Sequence, residues 1–176
     1  MTDNRPIYLD CQATTPVDPR VLEEMTPTFT EAFGNAASKH HRYGWEASKL
    51  VETARARIAG LIGCSSKEIL FTSGATEANN LALRGVLAQG QPSGRTHLVV
   101  SAIEHPAVLD TAKMLARHGA ELTVLSVDRE GRIGPDALAR ALRSNTALVS
   151  IMLGNNETGV VQDLRALGAV CREAGV

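Results

Sequence analysis

Three segments of the chain place small, hydroxyl, imidazole or carboxamide side chains where an apolar run gives way to a helical pattern. In Phe71-Thr72-Ser73-Gly74-Ala75-Thr76-Glu77 the small residues let a ligand approach the backbone, and Thr72, Ser73 and Thr76 add hydroxyls. The free N–H groups and dipole of a helix start there favour a phosphate. The segment matches neither G-x-G-x-x-G nor the Walker pattern, and Thr76 as a simple helix cap is the plain alternative. In Ser101-Ala102-Ile103-Glu104-His105-Pro106 the histidine precedes a proline suited to the first helical position. A neutral imidazole held there can stack on a flat cofactor, move protons, or merely cap the helix. Glu104 reads as a solvated or structural carboxylate. In Gly154-Asn155-Asn156-Glu157-Thr158-Gly159 two carboxamides can donate to a phenolate-like oxygen while Glu157 braces the loop; an Asn-rich turn is the bland reading. A fourth segment, Asp128 to Asp136, is a charged turn that reads as structural.

The elements that must position these residues follow from periodicity. Asp18 before Pro19 predicts an N-cap opening a helix to about Glu31, and Leu50, Ala54, Ile58 and Leu61 predict a second over 45–61. Between them Phe33 to Gly44 is a polar, glycine-bounded loop. From residue 68 a rhythm begins, with apolar runs at 69–71, 97–100, 122–125 and 147–152 followed by helical patterns at 76–89, 106–118, 135–143 and 163–174. Gly119 suits the position after the second of these helices. Four β–α units predict an α/β fold, a parallel sheet with flanking helices, in which ligands bind beyond the carboxyl ends of the strands. A phosphate cradle, an imidazole and an amide donor then share one edge. Pyridoxal 5′-phosphate is a flat, phosphorylated, phenolic cofactor that uses all three, with His105 against its ring and Asn156 at its O3′.

Composition narrows the classes. With 18 Lys+Arg against 19 Asp+Glu the net charge is −1, which excludes a nucleic-acid or membrane binder that relies on bulk charge. A hydrophobic share of 44% excludes disordered and fibrous classes, and 176 residues make one domain and a little more, at ~150 residues per domain. No apolar run approaches the ~18 residues of a membrane span, and the start Met1-Thr2-Asp3-Asn4-Arg5-Pro6 has no apolar signal core, so a cytoplasmic protein is expected. Cys11, Cys64 and Cys171 are odd in number and form no Cys-x-x-Cys pair, which suggests neither a disulfide framework nor a zinc site. They read as structural.

The chain resembles the cysteine desulfurases of the class-V aminotransferase superfamily, the pyridoxal-phosphate enzymes of fold type I. The resemblance is carried by Tyr8-Leu9-Asp10-Cys11-Gln12-Ala13-Thr14-Thr15-Pro16-Val17-Asp18-Pro19-Arg20, by Phe33-Gly34-Asn35 with His41-Arg42-Tyr43-Gly44-Trp45, by Phe71 to Glu77, by Glu104-His105 with Val108-Leu109, and by Asn155 to Gln162. It covers the chain from Ile7 onward. Ala36, Cys11 and Thr158 depart from the residues the family favours at those positions, and none is a carried-over ligand.

By this resemblance Ala75 and Thr76 are the phosphate-binding pair, His105 is the catalytic histidine that stacks on the ring and aids proton transfer, and Asn156 is the O3′ partner. No metal is implied. The implied reaction converts L-cysteine to L-alanine with persulfide sulfur transfer, for iron–sulfur cluster assembly or tRNA thiolation. The family's Schiff-base lysine, its pyridine-nitrogen aspartate and its nucleophilic cysteine lie in stretches absent here: Lys39, Lys49, Lys67 and Lys113 sit in no Ser-x-His-Lys motif. Those groups are expected beyond Val176, which makes residues 1–176 an N-terminal arm plus the first part of the large domain, inactive alone. The family's strand order, 1-7-6-5-4-2-3, then leaves the first strand without neighbours. A homodimer and an iron–sulfur scaffold or other sulfur-acceptor protein are the implied partners. A selenocysteine lyase or aminotransferase of the superfamily, and a non-catalytic chain that docks on a second polypeptide, are the competing expectations.

Overall fold

The computed structural model describes residues 6–176, and the polar start at residues 1–5 lies outside the described residues. The chain divides into two compact units, the first ending at Phe71 and the second beginning at Thr72.

The first unit holds helices α1 (Pro19–Met25), α2 (Pro27–Thr30) and α3 (Arg42–Ile62). The Asp18 carboxylate caps α1 by accepting the Arg20 N–H at 2.8 Å, as its position before Pro19 predicts. The single helix expected to Glu31 is interrupted at Thr26, because Pro27 has no N–H to continue the ladder. Helix α3 starts three residues earlier than periodicity suggests: the His41 imidazole Nδ1 accepts the Gly44 N–H at 3.3 Å and caps it. Gly44 is dictated by sterics, since a Cβ there would sit 1.9 Å from the Ser38 carbonyl oxygen. The helix ends at Gly63 in the left-handed region, φ 74°. Gly44, Ala47 and Ala59 are the buried residues of this unit among those described, so it has no core of large side chains.

The second unit holds helix α4 (Ala75–Gly90), strand β1 (His97–Ser101), helix α5 (Pro106–Arg117), strand β2 (Glu121–Leu125), helix α6 (Pro135–Ala141), strand β3 (Thr146–Ser150) and helix α7 (Leu164–Glu173). All three strands are parallel, in the order β2-β1-β3. This is the order expected for the second, third and fourth runs. Strand β1 is central and wholly buried, and its side chains alternate between two cores. Leu98 and Val100 pack with Leu83 and Leu87 of α4 and with Val108 and Ala112 of α5, while Val99 packs with Leu125, Ile133, Leu138 of α6 and Leu167 of α7. Helices therefore cover both faces of the sheet.

One expected strand is absent, so the four β–α units reduce to three strands. Ile69-Leu70-Phe71 pairs with no strand among the described residues. A strand exists only by hydrogen bonding to a neighbour, and here the Ile69 carbonyl instead accepts from the Arg55 guanidinium, which also lies 4.9 Å over the Phe71 ring.

Candidate active site at the carboxyl edge of the sheet

Strands β1 and β3 are parallel neighbours, so their carboxyl ends emerge side by side. The Ser101–His105 segment leaves one and the Gly154–Thr158 segment leaves the other. They are joined by two hydrogen bonds running in opposite directions. The Met152 N–H donates to Glu104 Oε1 at 2.6 Å, and Asn155 Nδ2 donates to the Ile103 carbonyl at 2.9 Å.

Helix α4 brings its start to the same edge. Its last residue, Gly90, lies against Arg95 and Ala147 at the amino ends of β1 and β3; a Cβ on Gly90 would stand 3.5 Å from that of Ala147. Sixteen helical residues span about 24 Å against roughly 16 Å for a five-residue strand, so Ala75 lies beyond the carboxyl ends. The three junctions singled out from the sequence therefore converge, within one unit, on one edge.

At the α4 start the N-cap is Gly74, not Thr76, and a glycine has no side chain with which to cap the helix N–H groups. The Ser73 N–H and hydroxyl both donate to the Glu77 carboxylate at 2.6 Å, and the Thr72 hydroxyl donates to the Gly74 carbonyl at 3.1 Å. Of the three hydroxyls expected to face a phosphate, two are thus spent on the turn. The N–H groups of Ala75 and Thr76 and the Thr76 hydroxyl have no acceptor among the described residues, and a Cβ on Gly74 would point into open space. Ser73 holds the Glu77 carboxyl below the ordinary carboxylate value, so it stays ionised at the positive end of the helix.

His105 is exposed and caps α5, its Nδ1 accepting the Ala107 N–H at 3.1 Å. That bond assigns the neutral ring its tautomer, with the proton on Nε2. Asn156 is exposed; its Nδ2 donates to Glu157 Oε1 at 2.8 Å, which leaves one amide hydrogen and the carbonyl for a ligand. Asn155, its neighbour in sequence, is buried. Its Oδ1 accepts from the Glu157 N–H, the Thr158 N–H and the Thr158 hydroxyl at 2.8 to 3.0 Å. The loop closes as a small antiparallel bridge between Gly154 and Val161, with Gly159 at φ 74°.

Glu104 is buried rather than solvated, 7% exposed. Burial pushes its carboxyl above the ordinary carboxylate value, and the Met152 N–H partly offsets this. Its role and that of Gln162 escape periodicity. Gln162, 3% exposed, accepts the Ile133 N–H at 2.9 Å and donates to the Gly131 carbonyl at 2.7 Å, pinning the charged turn. Asp128 is likewise spent on that turn, accepting from the Glu130 and Arg132 N–H groups. The three cysteines are free, and burial raises the Cys171 thiol, which disfavours its thiolate. No cluster of metal-ligating side chains occurs among the described residues, and none of their helices is long and apolar enough to cross a membrane.

The donor set fits the group expected here: unpaired helix-start N–H groups for a phosphate, an exposed imidazole for a planar ring, and an exposed carboxamide for a phenolic oxygen. The Aminotransferase class-V family model matches residues 7–176. Cysteine desulfurase IscS of Anaeromyxobacter sp. (strain K) is 54% identical over 171 residues, which are 97% of this chain and 42% of the relative. A solved structure of a NifS-like protein superimposes with a TM-score of 0.89 at 38% identity, over 96% of this chain and 46% of the other. A structure of SspA in complex with cysteine superimposes at 0.88 and 37% identity, over 96% and 48% respectively. The chain thus spans less than half the length of the relatives it matches.

Proposed function

Because the chain belongs to the class-V aminotransferase family, we propose that it is the pyridoxal-phosphate-binding part of a cysteine desulfurase, an N-terminal arm followed by the first part of the large domain. The observation that carries the proposal is the set of exposed groups at one sheet edge, the α4 start, His105 and Asn156, each on a loop whose other polar groups are spent internally. Relatives named cysteine desulfurase and a structural neighbour holding cysteine support L-cysteine as substrate.

Pyridoxal phosphate, when bound, supplies an electron sink that labilises bonds at the amino-acid carbon attached to its nitrogen. The chain's own residues do the rest of the work at this edge. The N–H groups of Ala75 and Thr76, with the Thr76 hydroxyl, would hold the phosphate where the helix dipole favours a dianion. Asn156 would donate its second amide hydrogen to O3′ and so help orient the ring. His105 would lie against the ring and offer Nε2–H as a hydrogen-bond donor, its Nδ1 being occupied by the Ala107 N–H; to carry a proton it would first release the Ala107 N–H and take the proton at Nδ1. A thiolate that the family resemblance places outside the present 176 residues would attack the substrate sulfur, forming the S–S bond of a persulfide as the C–S bond breaks and its electron pair stays on carbon, which takes a proton to give alanine. The outer sulfur would pass on to a thiol of a scaffold or other acceptor protein, in a homodimer. The free thiols favour a reducing, cytoplasmic setting.

The test uses the full-length protein, loaded with pyridoxal phosphate and given L-cysteine. Stoichiometric alanine and sulfide are the expected products. Keto-acid transamination without sulfide would instead indicate an aminotransferase, and failure to bind the cofactor would sink the proposal.

A further inference from the structure

The two exposed candidate ligands of the β1 and β3 loops each follow directly on a buried polar residue: Glu104 precedes His105, and Asn155 precedes Asn156. The buried members reach across to the opposite loop, Glu104 to the Met152 N–H at the end of β3 and Asn155 to the Ile103 carbonyl at the end of β1. Two antiparallel cross-links, each one residue from an exposed group, lock the separation and orientation of those groups. We propose that Glu104 and Asn155 are positioning residues, a reciprocal strap that sets His105 relative to Asn156 and thereby the gap into which a planar ligand fits. The last clause rests on the reading of the site given above; the strap itself does not.

The geometry also says what Glu104 needs. It accepts one N–H bond, so reach matters and charge does not. Glutamine keeps the reach and the acceptor oxygen. Aspartate keeps the charge and falls one methylene short. A buried carboxylate retained for its charge would behave in the opposite way.

The experiment compares Glu104→Gln and Glu104→Asp in the full-length protein. Amide hydrogen exchange is read without cofactor at Glu157 and Thr158, whose N–H groups bond to Asn155 and not to Glu104. Pyridoxal phosphate affinity and the circular dichroism of its visible band are read with cofactor. The strap predicts exchange at both amides about tenfold faster in E104D, with cofactor affinity down about tenfold and a diminished dichroic band. E104Q should stay within about threefold of the parent in exchange and affinity. Unchanged exchange in both variants, or disturbance in E104Q with none in E104D, overturns the strap. If the parent binds no pyridoxal phosphate, the functional reading fails while the exchange measurement still decides the strap.

Discussion

At the residue scale, the site separates groups that are spent from groups that are free. His105 both caps α5 and presents Nε2, and the two duties can be divided by substitution. His105→Ala removes the cap at a cost of about 1 kcal/mol and also removes the imidazole that would handle protons, lowering kcat by roughly 10²–10⁴ in the full-length protein. His105→Asn restores the cap and not the chemistry, so its melting temperature should return toward the parent while activity stays low; recovery of activity with stability would mean the ring has no chemical role. The two carboxamides separate in the same manner. Asn155→Ala removes a buried side chain that bonds the half-buried Ile103 carbonyl and the Glu157 and Thr158 N–H groups, and is expected to cost about 2 kcal/mol. Asn156→Ala should leave the melting temperature unchanged and weaken pyridoxal phosphate binding about tenfold, one lost hydrogen bond of about 1.4 kcal/mol. Equal destabilisation by both would contradict the division.

At the element scale, the amino ends of the strands are tied by a residue that an apolar run conceals. His97 is fully buried, and its Nδ1 and Nε2 lie 2.9 and 2.8 Å from the hydroxyls of Thr146 on β3 and Thr123 on β2. Burial lowers its pKa from the ordinary histidine value, Arg143 lowers it further, and Glu121 raises it in part. A depressed folded-state value means that stability is full above pH 6.5, where the unfolded histidine is also neutral, and falls as pH drops through the folded value. Melting temperature should therefore decline from pH 7 toward pH 5, and His97→Gln should flatten that decline while lowering stability at pH 7. A slope that persists in H97Q would assign it to other groups. This scale also shows what was legible beforehand. The parallel strands, the helices on both faces and the junctions carrying His105 and Asn156 follow from periodicity and turn chemistry, which are local. Glu104, Asn155 and Gln162 were not legible as buried supports, because their partners lie 29 to 52 residues away and a polar residue in a loop looks solvated until the facing loop is placed. The missing strand at Ile69–Phe71 has the same cause in reverse: its composition is right for a strand, but no described residue offers it a neighbour to pair with.

At the scale of the whole molecule, the described residues leave large apolar side chains exposed and a strand edge unpaired. In the first unit Ile7, Leu9 and Leu61 are 86–87% exposed, and in the second Leu153 and Val161 stand open near the candidate site. Strand β3 has no partner on its far side among the described residues. Unpaired strand edges beside apolar surface promote association. Residues 1–176 expressed by themselves should therefore bind a hydrophobic-surface dye strongly and elute as heterogeneous oligomers, while the full-length protein binds little dye and gives one species. The same preparation tests the chemistry. Lys113 lies eight residues along from His105 in α5, about 12 Å toward the amino edge, away from the site. The other three lysines stand in no motif that would place them on a cofactor. Pyridoxal phosphate followed by borohydride should then leave residues 1–176 without a stoichiometric label on any one lysine, whereas the full-length protein should be labelled on a single lysine beyond residue 176. A monodisperse 176-residue chain labelled once, at one of its own four lysines, would require the site to be complete within this chain.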